Sequence, residues 1–91
     1  MNDQPYAVEF LTKAEEDLDG LDRSLIQRVL NKLRGLAENF DSVKPEGLTG
    51  SLAGLFKLRV GDYRVIYQFD RRNRRLTVHM VGHRKEIYKH R

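Results

Sequence analysis

The chain has 91 residues, contains no cysteine and carries a formal net charge of +4. The absence of cysteine excludes disulfide bonds and cysteine-based metal sites, and no apolar run reaches the ~20 residues that a membrane-spanning helix needs. The first residues lack the basic start and apolar stretch of a signal peptide. We therefore expect one small domain over residues 1–91, located in the cytoplasm, with no membrane partner, no metal and no other cofactor.

Charge is divided unevenly along the chain. Residues 1–54 contain six Lys or Arg against ten Asp or Glu, a net charge of −4, whereas residues 55–91 contain eleven against three, a net charge of +8. Such polarity favours a polyanionic partner, and nucleic acid is the polyanion that fits it best.

The first half of the chain predicts a strand followed by two helices. Residues 6–10 alternate between apolar and smaller or polar side chains, which is the period of a strand with one buried face. Thr12 and Glu15 have the spacing of a capping box, which predicts a short helix at about residues 13–20, capped by Thr12 and ended by Gly20. Asp22 is a candidate N-cap for a second helix, which a broad apolar stripe extends to about Asn39.

The second half predicts a loop and then three strands. Residues 40–54 contain Pro45 and three glycines and are expected to form a loop. The strands are predicted at residues 55–60, 62–69 and 75–81, and their short connections imply an antiparallel meander. Residues 81–91 are expected to form a short helix or an extended tail. The layout is β-α-α-β-β-β, an α+β fold in which a two-helix hairpin packs on one face of a mostly antiparallel sheet of about four strands.

Strand alternation separates an apolar from a cationic face. Phe56, Leu58 and Val60 share one face of their strand, and Tyr63, Val65, Tyr67 and Phe69 form the apolar set of the next. If these sets pack on the helices, Lys57, Arg59 and Arg64 point away from them, and His83 and Arg84 join from the following strand. The group is either a phosphate-binding surface or an ordinary solvated sheet face, and charge placement alone favours neither.

Other polar side chains have simpler interpretations. The four arginines at positions 71, 72, 74 and 75 are predicted to form a solvated hairpin tip, and His79 is predicted to be an ordinary sheet histidine. Tyr88 lies in a polar, basic tail, where it either stacks on a nucleobase or packs back onto the sheet.

Three segments together resemble the RelE/ParE superfamily of bacterial and archaeal toxins. They are Leu48-Thr49-Gly50, the run KLRVGDYRVIY at residues 57–67, and VGHRKEIY at residues 81–88. The resemblance extends over nearly the whole chain and implies a RelE/ParE-like fold, which is related to microbial ribonucleases.

The resemblance also implies a function and a set of site residues. In the RelE branch, the toxin enters the ribosomal A site and cleaves mRNA by metal-free attack of a 2′-hydroxyl on the neighbouring phosphate. A RelB-type antitoxin neutralises it, and contact with operator DNA is made only through the antitoxin. The family's functional positions fall on six residues of this chain: Lys57, Arg59, Arg64, His83, Arg84 and Tyr88.

One departure from the best-known bacterial members bears on the chemistry. Those members carry two alternating lysines on the first meander strand, and Leu55 stands where the earlier one would be. Lys57 is therefore the candidate general base, and Arg84 and His83 are both candidates for the acid. Two alternatives remain: a ParE-type gyrase inhibitor without nuclease activity, and an inactive RNA-binding regulatory module.

Overall fold

Two helices pack on one side of a five-stranded sheet in the computed structural model of the protein, which describes residues 4–89. The elements are β1 (Ala7–Phe10), α1 (Thr12–Asp19), α2 (Arg23–Asn39), β2 (Glu46–Gly47), β3 (Phe56–Val60), β4 (Tyr63–Asp70) and β5 (Arg75–His83). Across the sheet the strands follow the order β1-β5-β4-β3-β2. This arrangement confirms the predicted α+β fold.

The two helices begin in different ways. Asp22 caps α2 as predicted, because its Oδ1 accepts a hydrogen bond from the Leu25 amide at 2.8 Å. The capping box predicted for α1 is wrong, since the N-cap is Leu11 and no side chain bonds there. The Leu11 amide donates to the Val78 carbonyl at 2.9 Å, which holds Leu11 extended and leaves Thr12 already inside the helix. Within residues 4–89, no helix is long and apolar enough to cross a membrane.

The sheet is antiparallel except at one edge. β3, β4 and β5 form the predicted meander, and β1 lies parallel to β5, with Ala7 opposite Arg75 and Phe10 opposite Val78. β5 continues two residues beyond its predicted end, to His83. The predicted loop contains the two-residue strand β2, which pairs with β3 and provides a fifth strand.

A β-bulge in β5 changes which residues face the helices. Ile66 of β4 lies opposite Met80, but the next residue, Tyr67, lies opposite Val78, so that His79 is the extra residue. Val78 and Val81 are both buried in the core beneath the helices. Alternation therefore places Met80 and Gly82 on the other side of the sheet.

The core between helices and sheet has an aliphatic and an aromatic part. In the aliphatic part, Val29 and Leu33 of α2 pack against valines of β3, β4 and β5. In the aromatic part, Phe40 is buried between Tyr6 and Tyr67, with ring centroids 5.0 and 6.2 Å away. Burial raises the pKa of Tyr67 to about 12. The predicted assignment of the apolar face is confirmed.

The predicted solvated tip of the β4–β5 hairpin needs a correction. Arg71 and Arg74 fold back over the aromatic part of the core, with guanidinium carbons 4.9 Å from the centre of the Phe40 ring and 4.5 Å from that of Tyr6. Arg74 also forms an ion pair with Asp41 at 2.9 Å. These two arginines hold the hairpin against the loop after α2, because aromatic faces and a carboxylate lie within reach of their long side chains.

Candidate functional site

The candidate site lies on the side of the sheet opposite the helices, which we call the far face. Lys57 and Arg59 of β3 and Arg64 of β4 all project from it, because their alternate neighbours are in the core. We call these three residues, together with Arg84, the cationic cluster.

Lys57 occupies the middle of this surface. Its Cα partners are Glu46 on β2 and Ile66 on β4, and its side chain is half-buried. Within residues 4–89, its ammonium group forms no hydrogen bond or ion pair. Ile66 is fully buried although it faces away from the helices. Lys57 therefore presents an uncommitted amine beside an apolar surface.

Arg59 and Arg64 are placed directly opposite each other. They are Cα partners in the β3–β4 pair, an arrangement that is unfavourable for like charges. Arg59 is exposed and reaches Glu46 on β2, with Nη2 to Oε2 at 3.3 Å. The Arg64 side chain extends instead towards the turn between β3 and β4. The ion pair of Arg59 with Glu46 and the bonds of Arg64 to the turn thus direct the two guanidinium groups away from each other on the same face.

The turn between β3 and β4 holds both Arg64 and Arg84. Arg64 Nη1 donates to the carbonyls of Gly61 and Tyr63, each at 2.9 Å. The Arg84 amide donates to the Asp62 carbonyl at 2.8 Å, and Arg84 Nε lies 3.7 Å from Asp62 Oδ1. Gly61 adopts φ 58°, which favours glycine. This one turn thus fixes the Arg64 guanidinium and the main chain of Arg84 at the same end of the far face.

His83 is not brought into the cationic cluster. It lies opposite Tyr63, with ring centroids 5.3 Å apart, and both residues alternate onto the helical side of the sheet. Its Nδ1 accepts a hydrogen bond from the Lys85 amide at 3.1 Å. The bulge at His79 reverses the alternation, which is why His83 faces the helices.

The chain after β5 folds back over the far face. The amides of Glu86 and Ile87 both donate to the His83 carbonyl, at 2.8 and 2.9 Å, and form a helical turn. Ile87 is buried, and a Cβ placed on Gly82 would lie 2.9 Å from Ile87 Cδ1. Tyr88 is half-buried, and its hydroxyl is enclosed without a hydrogen-bond partner in residues 4–89. Of the two interpretations of Tyr88, the structure has the ring packed back against the protein.

The cationic cluster can bind and stabilise a phosphate in a strained geometry. The Gly61–Asp62 turn orients the Arg64 guanidinium and anchors the main chain of Arg84, and guanidinium binds phosphate oxygens in pairs. Within residues 4–89, no group of three or more His, Asp or Glu side chains is arranged to hold a metal ion.

Some contributors to this site escape sequence reasoning. Gly61, Gly82 and Ile87 shape the far face through close contact and backbone conformation rather than through charge. The run Val60-Gly61-Asp62 does mark a tight turn, but nothing in its composition indicates that it binds two arginines.

Comparison with known proteins agrees with the fold. Residues 8–88 match the family described as the ParE toxin of type II toxin–antitoxin systems. The chain is 32% identical over 85 residues to Toxin RelG of Mycobacterium tuberculosis, an alignment that covers 93% of this chain and 98% of that protein.

Solved structures give the same result. A chain of the RelBE2 toxin–antitoxin complex of Mycobacterium tuberculosis superposes with a TM-score of 0.78 at 32% identity, covering 93% of this chain and 100% of that one. The isolated RelE toxin of E. coli superposes with a TM-score of 0.70 at 21% identity, covering 86% and 83%, and so supports the fold alone. The chain belongs to the RelE/ParE superfamily and is a toxin of a type II toxin–antitoxin system.

Proposed function

We propose that this toxin is a metal-independent endoribonuclease that cleaves mRNA in the ribosomal A site and thereby inhibits translation. The observation that carries the proposal is the anchoring of Arg64 and Arg84 on one turn, next to a lysine that has no partner within residues 4–89. A surface that served only solubility would not need the Arg64 guanidinium held by two backbone carbonyls and the Arg84 main chain bonded to the same turn.

The register of β3 and β4 sets the distance between Lys57, the proposed general base, and Arg64, which would stabilise the developing charge. Lys57 lies opposite Ile66, so Arg64 is its diagonal neighbour on the same face, about 7 Å away. One phosphodiester can therefore contact both side chains. The guanidinium atoms of Arg64 that do not contact the turn remain free to bind phosphate oxygens.

The proposed reaction assigns one role to each side chain. Lys57, as a neutral amine, takes the proton from the 2′-hydroxyl, and the 2′-oxygen attacks the neighbouring phosphorus. Arg59, Arg64 and Arg84 stabilise the charge that develops on the phosphorane. The bond between phosphorus and the 5′-oxygen breaks, and a proton from Arg84 completes the leaving hydroxyl. The products are a 2′,3′-cyclic phosphate and a 5′-hydroxyl end.

Arg84 is the better-placed acid of the two candidates. His83 faces the helical side of the sheet, and its Nδ1 already accepts the Lys85 amide. In this proposal, His83 supports the turn that carries Arg84, whereas Tyr88 leaves its packed position on RNA binding and stacks on a flanking base. Because Leu55 replaces a second lysine, the ribosome supplies part of the substrate orientation.

The proposed partner is a RelB-type antitoxin that covers the cationic cluster. The Mycobacterium tuberculosis relative at 32% identity was solved as part of the RelBE2 toxin–antitoxin complex. The net charge of +8 on residues 55–91 favours an acidic segment, whose association slows as salt rises. Contact with operator DNA is expected only through the antitoxin.

Primer extension on ribosome-bound mRNA tests the nuclease proposal. We expect Lys57→Ala and Arg84→Ala each to reduce the cleavage rate by ~10²–10³, since removal of one preorganised charge stabiliser has about this effect. Lys32→Ala, which removes an exposed lysine from α2 on the other side of the molecule, is the matched control and should cleave normally.

A folded Arg84→Ala protein that cleaves at the normal rate would rule out the proposed active site. Unfolding midpoints of the variants should stay close to that of the wild type, because neither side chain is fully buried. The inactive RNA-binding alternative predicts no cleavage by the wild type either.

The second candidate is inhibition of DNA gyrase, which the ParE description of the matching family favours. A supercoiling assay with purified gyrase distinguishes the two functions. Inhibition by the wild type and by both alanine variants alike, without mRNA cleavage, would establish the gyrase function instead.

A further inference from the structure

We propose that Lys57 is also a modification site, at which an acyl phosphate transfers its acyl group to the lysine amine and inactivates the site. In an acyl phosphate, one oxygen joins an anionic phosphate group to a carbonyl carbon that nucleophiles attack. The inactivation rests on the proposed function, because it requires Lys57 to take part in cleavage. The acylation itself depends only on the cationic cluster and on the free amine of Lys57.

Lys57 differs from the other lysines in its surroundings. Its side chain is half-buried, and within residues 4–89 its ammonium group forms no ion pair or hydrogen bond. The other five lysines are all exposed: Lys13, Lys32, Lys44, Lys85 and Lys89. Two of them are also paired, Lys13 with Asp17 and Lys89 with Glu86. Partial burial restricts the rotamers of the Lys57 stem, so that its amine lies at a defined place on the far face.

Arginines flank Lys57 on two sides. Arg59 is two residues along β3 and about 7 Å away, and Arg64 is the diagonal neighbour on β4 at about the same distance. Arg64 Nη1 contacts the turn, which leaves the other guanidinium nitrogens for phosphate oxygens. A phosphate held by these two arginines therefore lies beside the Lys57 amine.

The cationic cluster keeps positive charge in excess. Arg59 pairs with Glu46 at 3.3 Å, and Arg84 lies 3.7 Å from Asp62. Four cations therefore face two carboxylates, which leaves two positive charges for an anionic ligand. Both ion pairs are exposed to solvent and hence weak, so an incoming phosphate displaces the carboxylates at little cost.

The other concentration of cations lacks an amine. The tip of the β4–β5 hairpin contains four arginines and no lysine between positions 71 and 75. Arg71 there contacts the ring of Phe40, and Arg74 pairs with Asp41. An acyl phosphate bound by these arginines has no lysine of the hairpin to react with. The cationic cluster, by contrast, combines phosphate-binding groups with a free amine.

The transfer is a substitution at the carbonyl carbon. The neutral Lys57 amine attacks this carbon, and the bond from carbon to the bridging oxygen breaks, with its electron pair leaving on the phosphate. The nitrogen loses one proton, which the departing phosphate takes. The products are an amide on Lys57 and inorganic phosphate. Arg59 and Arg64 stabilise the negative charge that builds up on the leaving phosphate.

The position that Lys57 needs for cleavage also suits acyl transfer. As a general base, its amine contacts a 2′-oxygen close to phosphorus, and the carbonyl carbon of an acyl phosphate is separated from phosphorus by one oxygen only. The resulting amide carries no positive charge. Acylated Lys57 therefore neither accepts the proton of the 2′-hydroxyl nor attracts the RNA phosphate.

Mass spectrometry of the modified protein tests the site. Full-length wild-type protein is incubated with acetyl phosphate, and the acetylated fraction of each lysine is followed over time by peptide mapping. We expect Lys57 to be acetylated about tenfold faster than Lys32, since a cluster of cations raises the local concentration of an anion by at least this factor. A neutral acetyl ester, N-hydroxysuccinimidyl acetate, should show no preference for Lys57, because it has no phosphate group.

Arginine variants separate phosphate binding from simple amine reactivity. Arg59→Ala and Arg64→Ala should each slow the acetylation of Lys57 by acetyl phosphate and leave its reaction with the neutral ester unchanged. Arg34→Ala, which removes an exposed arginine from α2, is the matched control and should change neither rate. Inorganic phosphate should compete with acetyl phosphate more strongly than sodium chloride of equal ionic strength. Equal acetylation of Lys57 and Lys32, or rates unaffected by both arginine variants, overturns the proposal.

Cleavage of ribosome-bound mRNA distinguishes failure of this proposal from failure of the proposed nuclease function. Cleavage by treated wild-type protein should fall in proportion to the acetylated fraction of Lys57. Loss of cleavage in Lys57→Ala without preferential acetylation of Lys57 overturns the modification site alone. Normal cleavage by protein acetylated at Lys57 overturns both the inactivation and the role of Lys57 as general base.

Discussion

Asp17 links α1 to the end of β5 through a side-chain hydrogen bond. Asp17 Oδ2 accepts a hydrogen bond from the Val81 amide at 2.9 Å. β1 ends at Phe10, opposite Val78, so no strand lies beside Val81 on that side. The Asp17 side chain is 15% exposed and also pairs with Lys13. Without this carboxylate, the Val81 amide would be a partly buried donor without a partner.

Replacing Asp17 with alanine should lower the free energy of unfolding by about 2 kcal/mol. A hydrogen bond to a charged group contributes ~1.5–3 kcal/mol, and loss of the exposed pair with Lys13 adds little. For a chain of this length, about 2 kcal/mol corresponds to a fall in Tm of roughly 10 °C. Hydrogen exchange at the Val81 amide should accelerate as well, because the bond that protects it is gone.

Thermal unfolding and amide exchange measure the two effects together. Asp19→Ala is the matched control, since Asp19 is an exposed carboxylate at the end of the same helix. Lys13→Ala should change the free energy of unfolding by less than about 0.5 kcal/mol. If Asp17→Ala and Asp19→Ala have the same Tm and Val81 exchanges at its original rate, the reasoning is refuted.

Two further outcomes are expected from stability measurements. The hydrogen bond that Asp41 accepts from Tyr6, and to a smaller extent the one from Arg74, hold the pKa of Asp41 below its ordinary value of 3.8. Ionised Asp41 therefore stabilises the folded protein fully above that value, and this stabilisation is lost as pH falls through the lower pKa of the folded state. The free energy of unfolding of Asp41→Asn, measured by urea denaturation, should therefore depend less on pH in this acidic range than that of the wild type. The same pH dependence in both proteins would contradict this prediction. Gly82→Ala should displace Ile87, whose Cδ1 would lie 2.9 Å from the new methyl group, and so expose the turn after β5 to trypsin at Lys85. A digestion rate equal to that of the wild type would show that the turn adapts without opening.

Much of the fold follows from local pattern. The apolar stripe and the Asp22 cap predict α2, since both depend on neighbours within a few residues. Alternation in β3 and β4 predicts that Lys57, Arg59 and Arg64 share the far face, because the period of a strand is two. The predicted apolar set of these strands faces the helices and, apart from Tyr63, packs in the core. Ile66, from the other set, is buried on the far face.

Contacts between distant segments decide the rest. Arg71 and Arg74 look like solvated charges in the sequence, but Asp41 and the rings of Tyr6 and Phe40 come within reach only after folding. The enclosure of Tyr88 depends likewise on the turn that returns over the far face.

The side on which His83 lies shows most clearly what sequence alone cannot settle. An uninterrupted strand would place His83 on the same face as Thr77, away from the helices. The extra residue at His79 shifts the alternation by one, and so turns His83 towards Tyr63 and the helical side. A bulge adds no distinctive residue to the sequence, because it arises from how β5 pairs with β4. Local periodicity therefore determined the elements and their apolar faces, whereas tertiary pairing decided which polar side chains meet at the site.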